Sequence, residues 1–426
     1  MKKSPSALFD TLSYIVEQFK ACQSSDSKTI ISNWVAECLP KDSVKDFYIK
    51  DYQLILNFLY IYRGSTDTFN SYRRELERLV QWSWFMQDKS ILDLKRFDIE
   101  AFIEFCQKPD PNWIGVKTVA KFKYKNGLRS PNTDWRPFIV KVSKKAFKDG
   151  KRPDKDDFEI SSNGIKQIFA ILGSFYNFLI QEEILDGNPV LQIRQKSKFI
   201  QKQQNFTIRR LSDLEWQTVM ETAEIMATES PNQHERTLFI LNALYGMYLR
   251  ISELSATARW IPQMNHFERD MNEDWWFKTV GKGNKLRQVA VSPTMLKALK
   301  RWRGHLGLST LPSVDDQSPL IPKAIGKGPI ESTRAIRNIV QVCFDKAYEK
   351  LIKNNKKEDA EMLRSATVHW LRHTGISDDV KVRPREHVRD DAGHSSGATT
   401  DKYIDVELRE RAKSAGNKKK IILNED

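Results

Sequence analysis

The run His369-Trp370-Leu371-Arg372 is followed by Gly393-His394 and, nine residues after that histidine, by Tyr403. His369 and Arg372 stand three apart, so on a helix they share one face. Upstream, Leu249-Arg250-Ile251-Ser252-Glu253-Leu254 ends an apolar run that begins at Leu238. Between them lies the glycine-rich turn Gly281-Lys282-Gly283-Asn284-Lys285. The flanking segments Trp275 to Val280 and Leu286 to Val291 have β character, so the turn reads as the tip of a hairpin. Arginine offers a planar fork that matches two phosphate oxygens and stays charged at any working pH. Lysine and histidine move protons, and a phenol beside several cations is drawn toward its anion. Singly, each residue has a plainer reading: Arg250 and Glu253 as an i, i+3 ion pair, either histidine as a core residue, Tyr403 as packing. Together they form a set suited to a phosphodiester.

The chain around this set is long and basic. Its 426 residues suffice for two or three domains with their own cores, and 40% apolar residues fit a folded protein better than a disordered or membrane one. The most apolar segment, Ile168 to Ile180, is interrupted by Gly173, Ser174 and Asn177 and reads as a core helix too short to span a bilayer. Asp10 and Glu17 break up any signal-peptide core behind Met1-Lys2-Lys3, which leads to the expectation of a cytoplasmic protein. Cys22, Cys38, Cys106 and Cys343 have no paired ligand spacing and are expected as buried, reduced thiols rather than a zinc module or disulfide framework.

The net charge of +14 is concentrated rather than spread. Lys117 to Arg152 holds nine lysines and three arginines against Asp134 and Asp149, and Arg194 to Arg210 holds six basic residues and no acidic one. A localised excess is the footprint of a surface that tracks a polyanion; a pair of solvated basic loops is the alternative.

Residues 1–50 read as a helical extension. From Asp51 the pattern sharpens: Thr68 to Trp82, Ile91 to Ile103 and Ile168 to Ile184 carry apolar residues at helical spacing. Residues 107–160 interrupt these helices with an insert rich in Pro, Lys and aromatics, among them Trp113, Phe122, Tyr124, Trp135 and Phe138. That composition suits phosphate contacts with ring packing near a groove, and equally suits a small add-on packed on the helices. Gly187-Asn188-Pro189 stops the last helix, residues 194–210 read as a basic linker, and Ser212 with Glu215 forms a capping box that opens a second domain over 211–426.

The order and spacing of Arg250, the Lys282 turn, His369-x-x-Arg372, Gly393-His394 and Tyr403 resemble the tyrosine recombinase (phage integrase) family, closely over about 210–410 and loosely over about 50–200. The resemblance implies a mainly α fold: a helical core-binding domain over 51–193, then a mostly α-helical catalytic domain with a small antiparallel β-sheet, the two forming a clamp around DNA. It implies that Arg250 and Arg372 hold the scissile phosphate, that Lys282 (or Lys285) protonates the leaving 5′ oxygen, and that His369 takes the proton of the attacking phenol. His394 steadies the transition state, and Tyr403 attacks to give a 3′-phosphotyrosyl bond. Resealing conserves that bond energy, so neither ATP nor a metal or other cofactor is expected. Double-stranded DNA, a homotetramer on the synapse and accessory bending or directionality proteins are the implied partners, with the protein on the nucleoid when DNA-bound. Lys121, Lys123, Lys125, Arg129, Arg136, Lys196 and Lys198 are the expected phosphate contacts. The runner-up functions are a type IB topoisomerase-like DNA-relaxing enzyme and a non-catalytic accessory factor of the same fold. The chain departs from the family pattern at Tyr248, where a small glycine usually precedes Leu-Arg, and at Asp378-Asp379 and Asp390-Asp391-Ala392, where more apolar residues are usual.

Duplex affinity is expected to fall with salt at a log–log slope of about −0.9 per phosphate contacted. A filter-binding series across salt concentrations tests this, and a nearly flat response would remove the polyanion reading.

Overall fold

The computed structural model describes residues 4–24, 27–39, 44–125, 128–193, 198–200, 209–281, 283, 285–394, 396, 397 and 400, and the chain divides into two units, Met1–Phe206 and Thr207–Asp426. The architecture is mainly α. The first unit is built from α1 (Leu12–Ser24), α2 (Ser27–Cys38), α3 (Asp46–Ile61), α4 (Thr66–Trp82), α5 (Arg96–Gln107) and, after the insert, α7 (Ser162–Gln181). Helical spacing works as the sequence suggests. Phe69, Leu76, Leu79 and Val80 of α4 are buried against the apolar stripe of α7, Ile165 to Leu179. Ser161 starts α7 by accepting a hydrogen bond from the Gly164 amide at 3.1 Å. The helix ends at Gln181, several residues before the glycine-proline stop read from the sequence. Asn188 accounts for the turn back: its amide donates to the Gly173 carbonyl at 3.0 Å and its oxygen accepts from the Val190 amide at 2.9 Å, folding the chain onto α7.

Two buried carboxylates organise this unit. Asp51 on α3 accepts from Trp84 Nε1 at 2.8 Å, Ser90 Oγ at 2.6 Å and the Ile91 amide at 3.0 Å. Burial nonetheless outweighs those bonds and raises its pKa to about 6. Glu77 on α4, 1% exposed, accepts from the backbone amides of Leu8 at 2.8 Å and Phe9 at 3.2 Å. Within the first fifty residues, Ala7, Leu8, Phe9, Ile31, Trp34 and Val35 belong to the same core as α3, α4 and α7.

The insert supplies the cations for this arrangement, two of them expected as phosphate contacts. Lys121 Nζ pairs with Glu77 and Arg129 with Asp10, a carboxylate 1% exposed. A buried carboxylate left without a partner is far costlier than a lost surface contact, so these two basic side chains are held inside the fold. Burial lowers the Lys121 ammonium to about 8, against the opposing pull of Glu77. The insert also forms the hairpin β2 (Phe122–Lys125) with β3 (Leu128–Pro131), the short parallel pair β1 (Ile114–Gly115) and β4 (Phe138–Ile139), and α6 (Lys144–Lys148). Trp113, Phe122, Trp135 and Phe138 are buried in the unit's core and Tyr124 is exposed, so most of its rings serve packing.

The second unit contains α8 (Asp213–Glu229), α9 (Pro231–Gly246), the sheet β5 (Phe267–Arg269), β6 (Trp275–Val280) and β7 (Leu286–Ala290), α10 (Pro293–His305), α11 (Thr333–Lys353), α12 (Lys357–Ser365), α13 (Val368–Asp379) and α14 (Arg385–Ala392). Ser212 and Glu215 form the capping box of α8, with bonds of 3.2 and 2.7 Å. The sheet is antiparallel in the order β5-β6-β7, and the Val280–Leu286 pairing brings the two strands together at the glycine-rich turn. Helix α13 rides on the end of α9 because Gly375 has no side chain: a Cβ there would lie 2.2 Å from the Tyr245 carbonyl oxygen. That close approach sets Arg372, one turn earlier, beside residues 248–250.

Glu77→Ala removes the partner of a buried ammonium and the acceptor of two buried amides. It is expected to cost about 3–5 kcal/mol and to free residues 4–11 for proteolysis. Urea unfolding and limited proteolysis check this; unchanged stability would show that the carboxylate does not hold the segment.

Candidate active site

Arg250 opens a single 3₁₀ turn, Ile251–Glu253, rather than a helix. Glu253, 1% exposed, fixes it twice, accepting from the Arg250 amide at 2.8 Å and from its guanidinium at 3.0 Å. The other terminal nitrogen of Arg250 donates to the Gly393 carbonyl at 3.4 Å. Arg372, 2% exposed, donates from one terminal nitrogen to the Tyr248 carbonyl and from the other to the Ala392 carbonyl at 2.5 Å, and lies 3.3 Å from His394 Nε2. The two arginines thus grip the same short backbone segment, Ala392-Gly393. Gly393 caps α14 in the left-handed region (φ +63°), where a Cβ would also collide with Arg287 Cδ at 2.8 Å.

His394 is held between Arg372 and Thr400, whose hydroxyl is 2.9 Å from Nδ1. A guanidinium can only donate, so Nε2 accepts and the proton of the neutral ring resides on Nδ1. Burial, reinforced by Arg372, Arg250 and Arg287, lowers this imidazole to about 4. His369 and His373, one turn apart on α13, meet edge to face with ring centroids 4.3 Å apart. Burial and then Arg372, Arg250 and Arg209 lower the pKa of His369. Burial, His369 and the arginines lower His373 to about 4, so it belongs to the same cluster. Burial and the neighbouring guanidiniums both act against protonation of these imidazoles.

Of the expected catalytic residues, Arg250, His369, Arg372 and His394 are brought together, while Lys282 and Tyr403 lie outside the described residues. Gly281, next to Lys282, is described: a Cβ on it would sit 3.5 Å from both Arg250 and Glu253, so the base of the hairpin abuts that pair. Lys285 is exposed. Among the expected phosphate contacts, Lys123 is exposed and 3.2 Å from Asp134, Arg136 donates to the Thr133 and Trp135 carbonyls at 2.7 Å, and Lys198 pairs with Glu100 at 2.9 Å. The Lys125 side chain and Lys196 lie outside the described residues.

Sequence reasoning passed over Arg287. It joins Glu253 at 2.5 Å and the Asp391 carbonyl, and nothing beyond its place in a predicted strand signals this. It noticed Tyr248 and the aspartates only as departures, whereas Tyr248, Asp379, Arg383 and Asp391 form one bonded group beside the arginines.

Two guanidiniums converging on one short segment, with three histidines close by, form an arrangement suited to a phosphodiester. No model of a known protein family matches the chain. It is similar to tyrosine recombinase XerC of Leptospira interrogans, with 24% identity over 315 residues, 72% of this chain and 80% of that protein. Another XerC, from Actinobacillus pleuropneumoniae, is 23% identical over 254 residues, 60% of this chain and 71% of that one. Among solved structures, XerH site-specific recombinase bound to palindromic difH substrate superposes with a TM-score of 0.53 at 14% identity, covering 97% of this chain and 99% of that one. The Tn1549 transposon integrase in complex with transposon right end DNA gives 0.50 at 14% identity, covering 85% and 98%. In sequence the chain is similar to tyrosine recombinases, and in fold to the XerH recombinase and the Tn1549 integrase.

The histidines carry a pH consequence. His373 has an ordinary value of 6.5 and a folded value of about 4, so between these the unfolded chain binds a proton the folded one refuses. The stability from this group is present above 6.5 and lost as pH falls toward 4. His373→Gln should therefore lose less stability than wild type between pH 7 and 4.5, read from urea midpoints. Equal losses would mean that His373 is not held neutral.

Proposed function

We propose that the chain is a site-specific DNA recombinase that cleaves and rejoins duplex DNA through a 3′-phosphotyrosyl intermediate, in the integration or excision of a mobile element. The observation that carries this reading is the convergence of Arg250, Arg372 and His394 on the Ala392-Gly393 segment. Two guanidiniums held there neutralise charge as it develops on a phosphate in the transition state, a donor arrangement that needs no reorganisation during the step.

In this mechanism Tyr403 is the nucleophile. Its phenolic oxygen bonds to phosphorus as the 5′ oxygen departs, Lys282 gives that oxygen its proton, and His369 takes the proton of the phenol. His369 lies on α13 three residues before Arg372, on the same face, which supports its part as acceptor. Reversal against the 5′-hydroxyl of another strand reseals the backbone. His394 bonds to Arg372 through Nε2 in the free protein, so its donation to phosphate requires that nitrogen to be protonated as the substrate arrives.

Duplex DNA is the proposed partner, with the two units closing on it as a clamp and four copies assembling on two sites. That XerH and the Tn1549 integrase were captured on DNA supports the first part of this reading. Of the expected phosphate contacts, exposed Lys123 remains a proposed sequence-independent contact, whereas Lys121 and Arg129 are engaged within the fold.

The test begins with a random duplex library, from which the full chain selects its site. A nicked suicide duplex carrying that sequence is then incubated with wild type and with Tyr403→Phe. A denaturation-resistant adduct in wild type alone is the expected result. Tight, specific binding without an adduct from either protein would favour an accessory DNA-binding role, and plasmid relaxation without strand exchange would favour a topoisomerase.

A further inference from the structure

The departures of this chain from the family pattern converge on one bonded circuit. Tyr248 is buried and holds a left-handed backbone, φ 49°, which a non-glycine residue adopts only when its surroundings enforce it. Its hydroxyl donates to Asp379 and accepts from Arg383 at 2.8 Å. The other terminal nitrogen of Arg383 reaches Asp391 at 2.6 Å. Asp391 is buried, takes the Ala290 amide of β7 at 3.2 Å, and through its own carbonyl accepts from Arg287. Arg287 continues to Glu253 at 2.5 Å, and Glu253 to Arg250 at 3.0 Å. From the other end, the carbonyl of the same Tyr248 accepts from Arg372, whose second nitrogen reaches Ala392 at 2.5 Å, next to the Gly393 carbonyl that Arg250 contacts at 3.4 Å. The circuit closes on itself through both catalytic arginines.

We infer that Tyr248, Arg383 and Asp391 are positioning residues that hold Arg250 and Arg372 as a single unit for strand cleavage. The inference rests on the recombinase reading and deepens it. Arg383 is the hinge of the arrangement, because only a planar fork spans the phenol and the carboxylate at once; a lysine can satisfy one of them. The Arg383–Asp379 arm is about one-third exposed on each side, at 30% and 33%, where an ion pair adds little to stability, so folding alone does not account for that arm. Its geometric reach is larger. The phenol it holds fixes the Tyr248 backbone, and the Tyr248 carbonyl is one of the two that aim Arg372. A loss of about 1 Å in the placement of a phosphate-binding group is enough to slow a reaction by on the order of 10²-fold.

The experiment uses the full chain, the suicide duplex carrying the library-selected site, and single-turnover adduct formation beside DNA affinity and thermal melting. Tyr248→Phe keeps the ring and removes only the hydroxyl; Arg383→Lys keeps the charge and removes the fork. Each is expected to slow adduct formation by on the order of 10–10²-fold, with DNA affinity held within about twofold. The double variant should be no slower than Arg383→Lys, because both changes break the same circuit. Adduct formation at the wild-type rate in either single variant overturns the proposal, as does a double variant whose loss is the product of the two single losses. Parallel loss of cleavage, binding and melting temperature would make the circuit a folding element and overturn it too. No adduct from wild type itself would overturn the recombinase reading, and the positioning role with it.

Discussion

Arg372 carries a full positive charge with 2% of its surface in contact with solvent. Such a charge persists in a protein interior only if its N–H groups are met. Here the Tyr248 and Ala392 carbonyls do so, together with the neutral His394 ring. These partners are dipoles without net charge, so they orient the guanidinium without cancelling its field. Arg250 is treated differently: Glu253 neutralises it, and Arg287 returns a positive charge to the same carboxylate. The cluster therefore keeps a net positive character where a phosphate would sit. The elements around it serve this end, with Gly375 letting α13 close on α9 and Gly393 turning the chain tightly enough to present two carbonyls.

The first unit applies charge to a different task. Two of its carboxylates, Asp10 and Glu77, are buried at the meeting of the amino-terminal segment, α4 and the insert, and the insert returns Arg129 and Lys121 to them. A formal count of basic residues between Lys117 and Arg152 thus overstates what faces outward. The aromatic residues of that stretch divide in the same way, with Trp113, Phe122, Trp135 and Phe138 inside and Tyr124 outside.

Much of the second unit was legible in the sequence. The β6–β7 hairpin, the capping box at Ser212 and the clustering of Arg250, His369, Arg372 and His394 follow from periodicity, turn chemistry and motif spacing. Less legible was whatever depends on contacts between residues far apart in the chain. The burial of Leu8 and Phe9 needs Glu77, some seventy positions away. Arg287 looks like any solvent-facing strand residue until Glu253 and Asp391 are set beside it. The helix α7 stops at Gln181, where Glu183 takes a left-handed backbone that residue type does not signal, and Asn188 then ties the following turn to Gly173 and Asn177.

The left-handed backbone of Tyr248 has a corollary for substitution. Glycine at that position would relax the φ of 49° but would strip Asp379 and Arg383 of the phenol between them. Apolar residues at 379 or 391 would in turn leave a buried tyrosyl hydroxyl or an arginine fork without a counterpart. Residues 248, 379, 383 and 391 are consequently coupled: the effect of changing one depends on which residues stand at the others.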